Sequence, residues 1–587
     1  MAKGKNRKGR YVIDKNTIFP IIHNGKDKVV IGPDESGHLY SQNQITVEAW
    51  VKAKGIGAER KQVLLASWSP LSTFDTFDVY DAAGTQGLDT RGYFGAVFDG
   101  RYVYFSPQRN GNESNSTHGL VLRYDTHGQF HGSQSWQAYD GGAIDGLDTR
   151  GYYGAAFDGQ YVYFVPRGKH YGSFSHFHSN VLRYDTQMGF RDKKGWDAFD
   201  IGVNQTHQGV AFDGRHLYFC PGYEMNDNGQ NCHSGRVVRF DTTCEFKNQS
   251  SYNSFDVRTI TDLPAECYDG GAFDGRYIYL VPLTSGIVAR YDTLNDFCIA
   301  DSWEVFDCRS LKMKHNVGAI FDGMFLYFVP YQHGTVIRYD IHKTFNDINA
   351  WESFDASEIN GLDTEGFDGG FFDGRYIYFA PFVRQDKSGK TVFHMNFLRY
   401  DTRSAFKKIQ SWTAVDAGSV GGLDTRGYNA GVFDGRFFYL APWQNGREIH
   451  GRVLRYDTLK NNGTFCLMYS DYGHNGGLCA AVPGPRFMVN TENGVRSVAG
   501  KKVLEPRWHH LVGIYDGKVI QLFINGQLVN QRSAKGKIVE SSCPVSVGEM
   551  EGGTARFGGL VEQGTVSGVA HDHEWVKSRY RQFILIL

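Results

Sequence analysis

Tyr153-Gly154-Ala155-Ala156-Phe157-Asp158-Gly159-Gln160-Tyr161-Val162-Tyr163-Phe164-Val165-Pro166 is the stretch that decides the fold. Its first five residues are small or aromatic, suited to a crowded inner strand. Asp158-Gly159 is a strong hairpin signal, because a type I′ turn wants positive φ at both central residues. Tyr161 to Val165 is aromatic and β-branched, hence a good strand, and Pro166 ends it by withholding a ladder donor. A variable polar loop follows, then Val181-Leu182-Arg183-Tyr184-Asp185 and Trp196-Asp197-Ala198-Phe199-Asp200. The last of these alternates apolar and polar with period two. The stretch and its sequel read as four antiparallel strands.

The pattern recurs. Phe-Asp-Gly returns with its Asp at 99, 158, 213, 274, 322, 373 and 434, and Arg-(Tyr/Phe)-Asp with its Asp at 125, 185, 241, 292, 340, 401 and 457. Four strands in a unit of about 50 residues are the signature of a β-propeller blade. The seventh unit has no fourth strand after Phe465, while an orphan segment, Phe77-Asp78-Val79-Tyr80-Asp81, precedes the first. That segment aligns with Trp136 to Asp140 through the Gly-Leu-Asp-Thr-Arg-Gly-Tyr that follows both. Pairing the orphan with the seventh unit closes a ring of seven blades and removes exposed sheet edges.

Closure brings residues near 75 and 465 together, the geometry of a propeller (71–465) inserted into another domain. That domain would consist of residues 24–70 and 466–587, after a basic, solvated tail over 1–23 that includes Lys3 to Arg10. Ile45 to Val51 alternates as a strand, and Asp516-Gly517 and Asn525-Gly526 punctuate a meander. The phrases TVEAWV (46–51), RWHHLVGIYDG (507–517), LFINGQLV (522–529) and PVSVGEMEGG…RFGGLVEQ (544–563) resemble the laminin-G-like jelly rolls of the concanavalin A-like lectin and glucanase superfamily. The resemblance implies a two-sheet sandwich that binds carbohydrate, sometimes with calcium. The closing motif has Glu562-Gln563 where that family usually has Asp-Glu, and no Glu-x-Asp-x-Glu strand of the glucanase branch is present. The expected fold class is therefore all-β, a seven-bladed propeller of four-stranded blades inserted into a split concanavalin A-like sandwich.

Composition narrows the function. With 62 Lys+Arg against 63 Asp+Glu, the chain lacks the basic excess of a dedicated nucleic-acid binder. No run of about 18 apolar residues is present to insert in a membrane. The basic start has no apolar stretch behind it, so a cytoplasmic location is the default expectation. Nine cysteines with no close pair read as buried thiols rather than a zinc ribbon or a disulfide framework. No cofactor follows from the residues themselves, and calcium enters only through the resemblance.

Two sets of residues stand out at the expected propeller mouth. Gly-Leu-Asp-Thr-(Arg/Glu)-Gly-(Tyr/Phe) recurs in units one, two, six and seven, placing Asp89, Asp148, Asp363 and Asp424 in an arc with Arg91, Arg150, Glu365 and Arg426. The arc reads as a polar binding surface, or as turn capping by Asp-Thr with the Arg paired to the next blade. The second set, Tyr93, Tyr152, His207, Tyr268, Asn316, Phe367 and Tyr428, could stack on sugar faces or fill the taper between blades. The leading expectation is a recognition protein for glycan or another polymer, with Asp89, Arg91, Tyr93, Asp148, Arg150, Tyr152, Asp363, Asp424, Arg426 and Tyr428 as ligand-binding residues. A polysaccharide lyase or hydrolase is the alternative, with His207, Tyr268 and His315 as acid–base groups and arc arginines neutralising a uronate. A protein-docking scaffold is the third. The Arg and Asp of each Arg-Tyr-Asp serve the blade, by inter-blade pairing and turn capping. Three histidine groups (170, 176 and 178; 509 and 510; 571 and 573) are metal candidates only if other ligands converge on them.

Overall fold

The computed structural model describes residues 29–31, 43–53, 62–68, 74–113, 115–169, 177–386, 388–459, 463–470, 479–481, 484–500, 504–539, 541, 543, 545–550, 557 and 559–584. The basic tail, His170 and His176 lie outside these residues. The chain divides into two compact units, one of Asp75–Asp457 with Tyr472–Val482, the other of Met1–Phe74, Thr458–Asp471 and Pro483–Leu587. No helix among the described residues is long and apolar enough to cross a membrane.

The first unit is built from sheets of four antiparallel strands, as in propeller blades. In one, Tyr152–Phe157, Tyr161–Pro166, Asn180–Asp185 and Trp196–Asp200 are the four strands in spatial and chain order. Phe77–Asp81 lies against Arg452–Asp457 with Tyr80 opposite Val453 and Phe77 opposite Tyr456, so it is the outer strand of the last repeat. The first strands pack beside one another in chain order, and Tyr428–Phe433 also packs beside Tyr93–Phe98.

The Asp-Gly hairpin differs from the type I′ expectation. Gly159 takes a positive φ of 108° but Asp158 does not. Asp158 instead bonds its own turn: Oδ1 accepts the Gln160 and Tyr161 N–H groups at 2.8 and 2.7 Å and Oδ2 accepts the Tyr163 hydroxyl at 2.8 Å. An Asp side chain that bonds its own turn is the better use of a short acid. The Arg-Tyr-Asp strands are likewise structural. Arg183 pairs with Asp197 in its own sheet at 2.9 Å and lies over Tyr161 and, in the next sheet, Phe246. Arg183 itself therefore meets the next repeat by cation–π contact, while Lys247 of that repeat pairs with Asp197 at 2.8 Å.

Each first strand carries a bulge. Tyr93 pairs with Pro107 but Ala96 with Phe105, and the same slip recurs at Tyr268/Gly271 and Phe367/Gly370. The residue at the bulge has positive φ: Gly95, Gly154, Gly209, Gly270, Gly318, Gly369 and, in the last repeat, Ala430. A Cβ at Gly95 would sit 2.8 Å from Cys479 Sγ. Cys479 belongs to this unit because Ala480 and Ala481 pair in parallel with Ala156 and Phe157, a placement the sequence reading does not contain.

The second unit is a two-sheet structure. Its six-stranded sheet runs Val29–Ile31, Val545–Val547, Gln62–Trp68, Gly463–Ser470, Gly484–Thr491 and Gly494–Ala499; its five-stranded sheet runs Gln527–Ser533, Val519–Ile524, Trp508–Tyr515, Ile45–Lys52 and Leu560–Ser567. Val47, Leu65, Phe465, Phe487, Leu511 and Leu522 share the core. Asn525-Gly526 forms the expected type I′ turn, with φ of 51° and 77°. The His573–Ile584 helix, whose first turn is capped by Asp572 accepting the Trp575 N–H at 2.8 Å, covers the outer face of the five-stranded sheet through Val576.

Candidate functional site

The bulges position the site. A regular strand sends successive side chains to opposite faces. In these bulged strands Tyr93, Tyr152, His207, Tyr268 and Tyr428 are fully buried and none lines the cavity described below. The residues one step on, Phe94, Tyr153, Gln208, Asp269, Val317, Asp368 and Asn429, do line it, and its volume is about 300 Å³. Residues just past the second strands, among them Arg167 and Phe382, complete the wall.

Four of these side chains form two amide–carboxyl pairs. Gln208 Nε2 donates to Asp269 Oδ2 at 2.6 Å, and Asn429 Nδ2 donates to Asp368 Oδ2 at 2.6 Å. Tyr153 adds a hydroxyl to Asp269 Oδ2 at 3.1 Å. In each pair the amide oxygen and the second carboxyl oxygen are left over: Gln208 Oε1, Asp269 Oδ1, Asp368 Oδ1 and Asn429 Oδ1 are buried and have no hydrogen-bond partner among the described residues. All four residues are at most 2 % exposed. Buried polar atoms are nearly always bonded, so four orphans on residues lining one cavity make it the candidate site.

Burial raises both acids. It pushes Asp269 up to about 7, against the lowering effect of Arg167, Gln208 and Tyr153. Asp368 is held well above the usual carboxylate range by burial and then by Asp269, while Arg167 pulls it down. The Arg167 guanidinium lies 4.7 Å from the Tyr153 ring centre and 5.4 Å from that of Phe94. Aromatic packing stiffens the wall, with Phe94 4.2 Å from Trp443 and Tyr331 stacked on Phe382.

The arc residues are arranged differently. Arg91, Arg150 and Arg426 each grip the aspartate two residues earlier with two parallel hydrogen bonds, at 2.5 and 2.7 Å for Asp89, 2.7 and 2.8 Å for Asp148, and 2.7 and 2.5 Å for Asp424. This bidentate hold keeps Asp148 and Asp424 below the usual carboxylate range. Asp363, whose motif carries Glu365 instead, pairs with Arg384 at 2.8 Å. The Thr between is the anchor: Thr90 and Thr425 donate to the carbonyls of Ala82 and Ala417 at 2.6 and 2.5 Å, and Thr149 makes the same bond to Gly141. The arc is thus a set of self-paired, half-exposed ion pairs, with Asp89 47 % and Arg91 37 % exposed.

Sequence reasoning missed three of the histidines that fasten those loops and read the fourth, His178, only as a metal candidate. His118, His178, His394 and His450 set a ring nitrogen 2.7–3.0 Å from the carbonyls of Arg91, Arg150, Gly366 and Arg426. Burial lowers all four to about 4. The signal was available, since these histidines occur in the four repeats that carry Gly-Leu-Asp-Thr. Of the acid–base candidates, His207 has neither ring nitrogen hydrogen-bonded and is lowered by burial to about 3, Tyr268 is fully buried, and His315 is half-buried. In the second unit, His510 bonds Glu48 at 2.8 Å and His509 faces Glu505 O and Asn525. His571 stacks on Trp575 at 3.8 Å. Among the described residues no three His, Cys, Asp or Glu side chains converge as metal ligands.

Residues 443–577 match the Laminin_G_3 family model, described as the concanavalin A-like lectin/glucanases superfamily. The sandwich is laminin-G-like. The remaining chain, many antiparallel strands, is consistent with a propeller-like domain that interrupts the laminin-G-like unit. No curated protein matches the chain. Among solved structures the chain is similar to that of U3-55K (10 % identity, TM-score 0.39, 66 % of this chain and 100 % of that chain). It is also similar to YjhT (10 %, 0.34, 56 % and 98 %) and to a chain of a nidogen/laminin complex (13 %, 0.28, 52 % and 96 %).

Proposed function

We propose that the seven repeats close as a seven-bladed propeller inserted into a split laminin-G-like sandwich near residues 71 and 465, and that the protein is a carbohydrate-recognition module. The pairing of Phe77–Asp81 with Arg452–Asp457 and the packing of each first strand beside the next support the ring. The superfamily match supports a carbohydrate- or protein-binding role. One observation carries the choice of carbohydrate: four buried oxygens without protein partners belong to residues that line one aromatic-walled cavity of about 300 Å³. A hydroxyl-rich ring brings donors to such oxygens and apolar C–H faces to the walls.

In this reading the cavity takes a terminal sugar and the arc is its rim. Asp89, Asp148, Asp363 and Asp424 with Arg91, Arg150 and Arg426 would meet the next sugars of a longer chain, while Tyr93, Tyr152 and Tyr428 back the wall from inside the sheets. The test is retention of oligosaccharides on an array by the full chain and by Gln208→Leu/Asn429→Leu. The reading expects retention by the first and none by the second; equal retention would overturn it.

A hydrolytic reading has one observation in its favour. Two cavity carboxyls with raised proton affinity, Asp269 pushed up to about 7 by burial and Asp368 held well above the usual carboxylate range, fit a general acid better than a passive binder. It expects product release from the retained oligosaccharide that Asp269→Asn abolishes and His207→Ala or His315→Ala leaves intact, whereas loss in the histidine variants alone would return catalysis to them.

A further inference from the structure

We propose that the cavity takes a sugar bearing a primary ammonium beside its hydroxyls, an amino sugar, whose positive charge is met by Asp269 and Asp368. The inference rests on the carbohydrate reading and adds the ligand's charge to it.

Each orphaned oxygen needs a donor. Gln208 Oε1 and Asn429 Oδ1 are amide carbonyls whose own N–H groups are already turned to Asp269 and Asp368, so they can only accept. Each stands with an orphaned carboxyl oxygen of its partner, giving two acceptor pairs on neighbouring repeats, three and four on one side, six and seven on the other. An ammonium supplies three donors from a single atom, and sugar hydroxyls supply the rest.

Charge points the same way. The titratable groups lining the cavity are Asp269, Asp368, Arg167, Tyr153 and Tyr331, and Cys220, Tyr223 and Cys267 also sense Asp269 from behind. Among the described residues, Arg167 is the sole cationic side chain in the lining, against two acids. Burial raises both acids, and Asp269 adds to the rise of Asp368, so bound protons suppress negative charge there without a ligand. A ligand cation would do the protons' work and send them to solvent. The walls suit it too, since Phe94 and Tyr153 already hold a guanidinium by cation–π contact.

The test is calorimetric titration of the full chain with D-glucosamine, N-acetylglucosamine and glucose at pH 7, in two buffers of different ionisation enthalpy. The expected result is glucosamine binding at least ~10-fold tighter than either neutral sugar, with proton release into the buffer, because tenfold is one pK unit of charge stabilisation. Asp269→Asn should lose that preference and the proton release together. Arg167→Gln should tighten glucosamine, since it removes the resident cation that repels the ammonium, a gain that a merely structural arginine would not give. Equal binding of all three sugars without proton release would overturn the inference and leave the carbohydrate reading standing. Binding of ethanolamine but of no sugar would uphold the ammonium and overturn the carbohydrate, and heat from none of the four would overturn both.

Discussion

Two groups of aspartates sit in equivalent repeats of one unit, and their environments are opposite. Asp89, Asp148 and Asp424 are half-exposed and held by two bonds each from an arginine two residues on. Asp269 and Asp368 are buried, hold one amide each, and keep one oxygen apiece without a partner. Exposed ion pairs contribute about 0–1 kcal/mol, whereas an unmet buried polar group costs about 1–3 kcal/mol. The repeated acids therefore serve the scaffold, and the pair that breaks the repeat carries that penalty.

The largest expected effect tests the occupied side. Gln208→Leu/Asn429→Leu should lower affinity for a retained oligosaccharide by ~100-fold, the loss of two charge-supporting acceptors, in a direct binding titration. Next comes the pH dependence of the unit that holds the arc. His118, His178, His394 and His450 are each depressed to about 4, so the unfolded chain binds more protons than the folded one below the ordinary histidine range near 6.5. Stability is present above that range and falls as pH drops toward 4; a melting series from pH 7 to 4.5 should show Tm decline by ~5 °C or more, and a flat profile would contradict the buried neutral imidazoles.

A smaller effect has the opposite sign. Asp269 is raised to about 7 from an ordinary value near 3.8, so its contribution to stability is lost as pH rises through 7. Asp269→Asn should therefore raise Tm at pH 8, by ~2–4 °C for about 1 kcal/mol, while weakening the site. The smallest effect belongs to the arc. Asp148→Asn should change stability by no more than ~1 kcal/mol and leave monosaccharide affinity unchanged, with a few-fold loss confined to longer chains. A large loss on the monosaccharide would move the arc from rim to pocket.

The repeat was legible because Phe-Asp-Gly and Arg-(Tyr/Phe)-Asp recur in the same order in every unit despite loops of varying length, and the orphan Phe77–Asp81 could be assigned by its missing partner. The laminin-G-like flanks were legible through TVEAWV and LFINGQLV despite the interruption. The cavity was not, for a local reason. Strand alternation points to Tyr93, Tyr152 and Tyr428, and the bulge at Gly95, Gly154 and Ala430 gives the cavity to the preceding residue instead. A sharper clue lay in Tyr268-Asp269-Gly270-Gly271 and Phe367-Asp368-Gly369-Gly370, the two repeats with an acid where the others have Phe, Tyr, Gln, Val or Asn. The return of Cys479 to Ala481 to the repeat unit left no such trace, because a short parallel pairing has no sequence period.

The most direct measurement is a crystal structure of the full chain with an oligosaccharide that the array retains. The account predicts sugar atoms within hydrogen-bond distance of Gln208 Oε1, Asp269 Oδ1, Asp368 Oδ1 and Asn429 Oδ1, with a ring face against Phe94 or Tyr153. A sugar seated on the laminin-G-like sandwich, with those four oxygens bonded to water alone, would contradict it.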